Sequence, residues 1–338
     1  MQRVLWKSAL DTYPISACSL EKFYYIDGHQ LERQYKEHLS DYREWEDEDG
    51  SHAEEYLVFP ENVGPHLSID ETSLSDGELY TIVTNKDAHG RKGAIVAIVA
   101  GTKSETVYTA LWKIDKELRE KVEEITLDLS SSMKTIAIMA FPKATKVIDR
   151  FHVQKLALDA VQELRIKFRW DAMDRENAMK REAKAKGEDF KPEIFSNGDT
   201  EKQLLIRSRY LLFKARKFWT ESQQKRAQIL FSRYPDLETA YNLADGLRTI
   251  YSTSKTKGGA LLKLAKWYNA VDESGFESFK TISETIQTSY ERVLNFFENR
   301  STNASAESFN AKIKAFRAQL RGIRDVKYFL FRLKNIYA

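Results

Sequence analysis

A chain of 338 residues, 42% hydrophobic and 30% charged, can bury a substantial core, which excludes intrinsic disorder and a collagen-like repeat and sets a prior of roughly two domains. Its longest apolar run, 94–100, is far short of the ~20 residues that cross a bilayer, so no membrane association is expected. The N-terminus carries no secretory pattern, and one cysteine, Cys18, cannot form an internal disulfide or a cysteine-based zinc site, so a reducing cytoplasm is the expected setting. Net charge is only +3, but residues 1–61 hold 6 basic and 14 acidic groups, which leaves the remainder clearly basic.

Residues 16–45 read as two helices. Ser19 caps a short one through Tyr25, Ile26-Asp27-Gly28 supplies a turn, and Leu31, Tyr35, Leu39 and Tyr42 recur at helical spacing. The pair is spaced as a helix-turn-helix. Residues 1–43 balance six basic against six acidic groups, poor for phosphate binding, so DNA contact and simple packing both stand for a small helical module over 1–45. The run Glu44-Trp45-Glu46-Asp47-Glu48-Asp49-Gly50, followed by Glu54 and Glu55, reads as an acidic linker over 46–57.

From residue 58 the pattern turns strand-like. Residues 66–74 alternate Leu67 and Ile69 with Ser68 and Asp70; strands at 79–85 and 92–101 follow the Asp76-Gly77 and His89-Gly90 turns, giving an antiparallel meander. Val107, Leu111, Ile114 and Leu118 share one face of a helix over 104–122. A strand returns over 122–130, a second helix occupies 132–140 before Phe141-Pro142, and a strand spans 146–153. Helical crossovers imply parallel pairing, and the order β-β-β-α-β-α-β is that of a ribonuclease-H-like α/β sheet, whose first part is 58–153.

Residues 154–300 hold no convincing strand. Helical stretches at 154–186, 202–231, 237–251, 259–273 and 276–299 predict an all-α insertion domain. A last helix follows Ser301-Thr302 and completes the core over 301–338. Phe309, Ile313, Phe316 and Leu320 make its apolar face, and Glu307, Asn310, Lys314, Arg317 and Arg321 the opposite one.

Ser68-Ile69-Asp70 and Thr126-Leu127-Asp128 each end an apolar run on an aspartate. Alone, such residues are turn or cap groups. Glu307 adds a third carboxylate at the start of an otherwise basic and amide-bearing helix face. Three carboxylates from two strands and a helix suit a two-Mg²⁺ phosphoryl-transfer site, because Mg²⁺ takes hard oxygen ligands and keeps waters. Residues 301–338 carry eight basic groups against Glu307 and Asp325, which is an electrostatic footprint for a polyanion or, on composition alone, a solvated helix face.

The stretches SIDETSL, TLDLSSS, FPKATKVIDRFHVQK, GGALLKLAKWYNA and STNASAESFNAKIKAFRAQLRGIRD resemble, in this order and over roughly residues 66–338, the catalytic region of bacterial insertion-sequence transposases of the ISL-three type. These are DDE enzymes with a ribonuclease-H-like core. The resemblance implies that Asp70, Asp128 and Glu307 are the catalytic triad and hold two Mg²⁺ or Mn²⁺ ions, with Asp149, His152 and Asn310 in supporting places. A satisfied strand-end histidine is an equal reading of His152. Glu71 rivals Asp70 in position, but alternation turns it to the other face of its strand.

Lys312, Lys314, Arg317, Arg321 and Arg324 would follow DNA, and Trp267 would stack on an exposed base or pack within the insertion. The implied activity is cleavage of double-stranded DNA at terminal inverted repeats and joining of the 3′-ends to target DNA, by a homodimer on DNA, in the bacterial cytoplasm at the nucleoid. The 58 residues from Asp70 to Asp128 hold two strands and a helix, whereas the 179 from Asp128 to Glu307 need a domain between them.

Two departures from the family stand out. With Cys18 alone the chain lacks the cysteine-rich zinc segment of longer relatives, so end recognition is expected from residues 16–45, from the insertion or from a separately encoded partner; and Ser308 replaces a common glycine. A tyrosine recombinase gains nothing from strand-end aspartates. A catalytically inactive transposase-derived DNA-binding or assembly protein is the other alternative, against which three intact carboxylates argue.

Overall fold

Six strands, β1 Tyr56–Val58, β2 His66–Ser75, β3 Glu78–Asn85, β4 Ile95–Ala100, β5 Glu124–Leu127 and β6 Thr145–Ile148, form one mixed sheet in the order β1-β4-β3-β2-β5-β6. The computed structural model describes residues 2–75 and 77–338, so Asp76 of the expected Asp76-Gly77 turn lies outside the described residues. β1 through β4 pair antiparallel, whereas β5 lies parallel to β2 and β6 parallel to β5. Helices Ser104–Leu111 and Ser131–Ala140 are the crossovers that make parallel pairing possible. The sheet and its helices are compatible with a ribonuclease-H-like α/β core.

The chain divides into two compact units, Met1–Asp149 with Arg300–Ala338, and Arg150–Asn299. In the first, both faces of the sheet are covered, which is why β4, Ile-Val-Ala-Ile-Val-Ala, is buried almost throughout. Leu67, Ile69 and Val83 pack with Val107, Leu111, Ile136 and Ala137 of the crossover helices. Tyr80 and Ile82 belong to a second cluster with Phe309, Ile313 and Phe316 of helix Ala304–Gln319 and Phe329 and Leu333 of helix Val326–Tyr337.

Several boundaries differ from the sequence reading, each for a local reason. The strand expected over 146–153 stops at Ile148, because Val153, Ala157 and Val161 recur at helical spacing and helix Arg150–Lys186 begins there, with His152 on its first turn. The helix expected over 104–122 breaks after Leu111 and resumes as Lys116–Arg119, while Ile114 stays buried in the connection. The C-terminal helix is two helices. Arg321 and Gly322 take positive φ, 55° and 104°, and Asp325 restarts the second by accepting from the Tyr328 amide (2.9 Å). β1 is too short to show alternation and escaped the pattern.

An unanticipated helix, Gln2–Thr12, opens the chain, and 16–45 folds as short pieces, among them Glu21–Tyr24, Gly28–Gln34 and Tyr42–Asp47. Leu31, Tyr35, Tyr42 and Trp45, with Ala53 and Leu57 from the acidic stretch, are buried in the same cluster as the last helix. Spaced apolar residues there pack while Glu44, Asp47, Glu48, Glu54 and Glu55 are exposed. Arg332, counted by composition among the groups available to a polyanion, is 2% exposed. Its Nη2 donates to Leu10 O (2.7 Å), Tyr13 O (3.3 Å) and Ile15 O (3.1 Å), and its guanidinium lies 5.3 Å from the ring centroids of both Tyr35 and Phe316.

The second unit is helical apart from one isolated bridge, Ile194 to Thr200. The helix expected over 202–231 is divided into Glu201–Arg207, Arg209–Phe213 and Glu221–Arg233. Ser208 turns its hydroxyl back to Leu204 O (2.6 Å), and Thr220 restarts the chain with a capping box to Gln223. Pro235 opens helix Pro235–Thr253.

Replacing Arg332 with Met is expected to cost the chain about 3 kcal/mol, since the buried Leu10 carbonyl and the part-buried Tyr13 and Ile15 carbonyls lose a charged donor. Urea denaturation followed by circular dichroism measures it, and a change inside experimental error would show that Arg332 is no strut of the fold.

Candidate active site

The parallel register that sets Ser68 beside Thr126 carries two residues further to Asp70 and Asp128. The register that sets Leu127 beside Ile148 carries one further to Asp128 and Asp149. The Asp149 amide continues that ladder by donating to Leu127 O (2.9 Å). Three aspartates therefore line up across β2, β5 and β6 at the edge where β5 and β6 end, which is where open α/β sheets bind ligands.

Each is oriented by a different donor. Half-buried Asp70 accepts from the Glu71 amide at Oδ1 (2.9 Å) and from Asn310 Nδ2 at Oδ2 (2.7 Å). Asp128, also half-buried, accepts from the Ser130 amide (2.7 Å), an Asx turn leading into helix Ser131–Ala140. Asp149 is 1% exposed. It and Glu307 offer carboxylate oxygens within 4.8 Å of one another.

Glu307 reaches this edge because the chain entering its helix is tied to the sheet. Asn303 is fully buried: its side chain donates to Ile69 O (3.4 Å) and accepts from the Ser68 hydroxyl, and its carbonyl accepts from the Glu307 amide (2.8 Å). Two residues earlier, the Ser301 hydroxyl bonds to Glu124 and to Lys86. Lys86 Nζ also donates to Thr126 Oγ1 (2.9 Å) and Glu124 Oε1 (3.1 Å). From that anchor the helix buries Phe309 and Ile313, brings Asn310 to Asp70 and, one turn earlier, sets Glu307 beside Asp149.

Burial, then Asp128, then Asp70 raise the carboxyl of Glu71 above the usual carboxylate range. Alternation turns Glu71 away from Asp70, yet it shares their field. A concentration of carboxylates is a donor set that suits hard divalent cations such as Mg²⁺ or Mn²⁺.

Among the other residues singled out by sequence, His152 is half-buried on the first turn of helix Arg150–Lys186, its ring edge-on to Phe151 (6.1 Å). Lys314, Arg321 and Arg324 are exposed. Lys312 donates to Gly90 O (2.9 Å) and Arg317 to Ser73 O (3.2 Å), so both help to seat their helix. Trp267 corrects the stacking expectation: it is 5% exposed and its indole donates to Leu243 O (2.8 Å), so its ring is core of the second unit and no base can reach its face.

Lys86, Glu124, Ser301 and Asn303 were missed by sequence reasoning. One signal was present, since Glu124 opens a strand that is otherwise apolar or hydroxylic and buried throughout, and a buried acid demands a partner.

A family model described as transposase matches residues 67–333. That span takes in Asp70, Asp128, Asp149 and Glu307 and the whole of the second unit. No curated protein matches the chain.

Lys86→Met is expected to destabilise the chain by about 3 kcal/mol by stranding Glu124, and the pair Lys86→Met with Glu124→Met to recover most of it; denaturation of the two variants decides. Glu71→Gln is expected to raise the melting temperature at pH 7 in a chelator. A carboxyl whose folded pKa is raised opposes folding once pH exceeds the unfolded value, so the gain should vanish below about pH 4, where both states bind the proton. A gain that persists in acid would contradict the shared field.

Proposed function

The chain belongs to the DDE transposases of the ISL-three type, and on that premise we propose that it cuts double-stranded DNA at the terminal inverted repeats of an insertion sequence and joins the freed 3′-ends to target DNA. In this reading the first unit is a ribonuclease-H-like catalytic core, the second is its helical insertion, and a homodimer pairs the two ends. The observation that carries it is the alignment of Asp70 with Asp128 across neighbouring strands, together with the Asn310 bond that draws the Glu307 helix to Asp70.

Asp70, Asp128 and Glu307 would hold two Mg²⁺ or Mn²⁺ ions, with Asp149 and His152 supporting as the family's Asp-x-x-His pair. Bound there, such ions supply Lewis acidity to the attacking oxygen and to the leaving oxygen. The protein's own part is orientation. Asn310 occupies one oxygen of Asp70 and fixes the rotation of its carboxylate, and the Ser130 amide does the same for Asp128. Asn303 and Ser301 hold the start of the Glu307 helix against the sheet, so that the third carboxylate arrives preorganised. Water and a 3′-hydroxyl are equivalent in-line nucleophiles, so one carboxylate set serves both steps: hydrolysis frees a 3′-hydroxyl, and transesterification breaks one phosphodiester for each that it makes.

Wild type is expected to nick a labelled duplex carrying the element's repeats in Mg²⁺ or Mn²⁺, and Asp128→Asn and Glu307→Gln to bind it but cut slower by about a hundredfold or more. Binding without cutting by wild type in either metal would transfer support to the inactive, DNA-binding alternative.

A further inference from the structure

The second unit pairs six of its twelve arginines with carboxylates. Arg175, Arg207, Arg216, Arg226, Arg233 and Arg248 each meet a carboxylate within 3.4 Å. Three others converge with none among the described residues. Arg165, 5% exposed, donates from Nη1 to Leu205 O (2.8 Å) and from Nε to Gln162 Oε1 (2.7 Å). Gln162 in turn donates to Arg209 O (3.4 Å), which ties the start of helix Arg209–Phe213 to the same spot.

Arg169 lies one turn further along the Arg165 face of helix Arg150–Lys186. It is half-buried, and its Nε is buried without a hydrogen-bond partner. Arg209 is exposed. Burial lowers the pKa of Arg165, Arg209 and Arg169 lower it further, and no carboxylate offsets them. The neutral partners of Arg165 satisfy hydrogen bonds but do not offset the charge that Arg169 and Arg209 add beside it.

Two exposed rings flank the cluster. The Arg169 guanidinium lies 5.9 Å from the Trp170 centroid and that of Arg209 5.6 Å from Tyr210, with the rings 56% and 69% exposed. A guanidinium held over a ring keeps its N–H edge for an in-plane acceptor, and the planar fork matches a phosphate bidentately. Three guanidiniums that share one locality with no carboxylate among their partners, one of them with a buried Nε left unbonded, make an electropositive notch whose repulsion an oxyanion relieves.

We propose that Arg165, Arg169 and Arg209 form an anion site in the second unit that takes a backbone phosphodiester of duplex DNA. The proposal rests on the DNA-handling reading above for the identity of the anion, not for the existence of the site. Arg165 is committed to the fold, so Arg169 and Arg209 are the residues to vary.

The experiment is equilibrium binding of the full chain to a short labelled duplex between about 50 and 200 mM salt, comparing wild type with Arg169→Gln plus Arg209→Gln and with Arg169→Lys plus Arg209→Lys. Neutralising both is expected to weaken binding and to reduce the magnitude of the salt slope by about one for each phosphate that is no longer neutralised, while the lysine pair retains the slope. A wild-type slope in the glutamine pair overturns the site, as does an equal loss in the lysine pair, which would trace the effect to packing. If the slope is unchanged while wild type still cuts at the repeats, the anion site fails and the transposase reading stands; if the slope falls while wild type does not cut, the reverse holds.

Discussion

The structure turns on a buried polar tie between chain segments far apart in sequence: Lys86 from the end of the hairpin, Glu124 and Thr126 from β5, and Ser301 from the chain that leads into the Glu307 helix. Glu124 is 4% exposed and Lys86 mostly covered, so neither charge is tolerable alone, and together with two hydroxyls they satisfy one another. Such a network adds less to stability than an apolar core would. What it supplies is uniqueness, because an alternative seating of residues 301–303 would strand a buried charge. Asn303 repeats the device one step nearer the site by bridging Ser68 and Ile69.

That constraint explains how an acid so distant from Asp128 in sequence comes to the same sheet edge. The sheet supplies the aspartates through register alone: three neighbouring strands in parallel register carry Asp70, Asp128 and Asp149 abreast. The helix supplies Glu307 through the polar tie at its start and through Phe309, Ile313 and Phe316 along its length. The raised carboxyl of Glu71 is a consequence of the same crowding.

The two units distribute charge differently. In the second, half of the guanidiniums meet a carboxylate, as at Asp199, fully buried between Arg207 and Arg226 and held below the usual carboxylate range. In the first, the basic groups of the last two helices divide between structure and solvent. Arg332 is entirely internal, Lys312 and Arg317 are partly engaged by backbone carbonyls, and Lys314, Arg321 and Arg324 are open. A count of basic residues cannot tell these fates apart, because a guanidinium that donates to buried carbonyl oxygens and one in water carry the same charge.

Local pattern decided much of what is seen. Alternation at Leu67, Ser68, Ile69 and Asp70 identified β2 and the face on which Asp70 stands; helical period at Phe309, Ile313 and Phe316 identified the covered side of the Glu307 helix; Phe141-Pro142 ended a helix where a proline must. These features depend only on neighbours within a few residues, and a sequence displays them. The end of β6 at Ile148, the break at Arg321-Gly322 and the burial of Trp45, Leu57 and Trp267 were decided by packing, since short apolar spacings fit strand and helix alike until a surface selects one. The Lys86–Glu124–Ser301 tie and the Arg165–Arg169–Arg209 notch belong wholly to the tertiary structure, because the cost of a buried charge is set by what lies across from it in space, and no spacing along the chain states that.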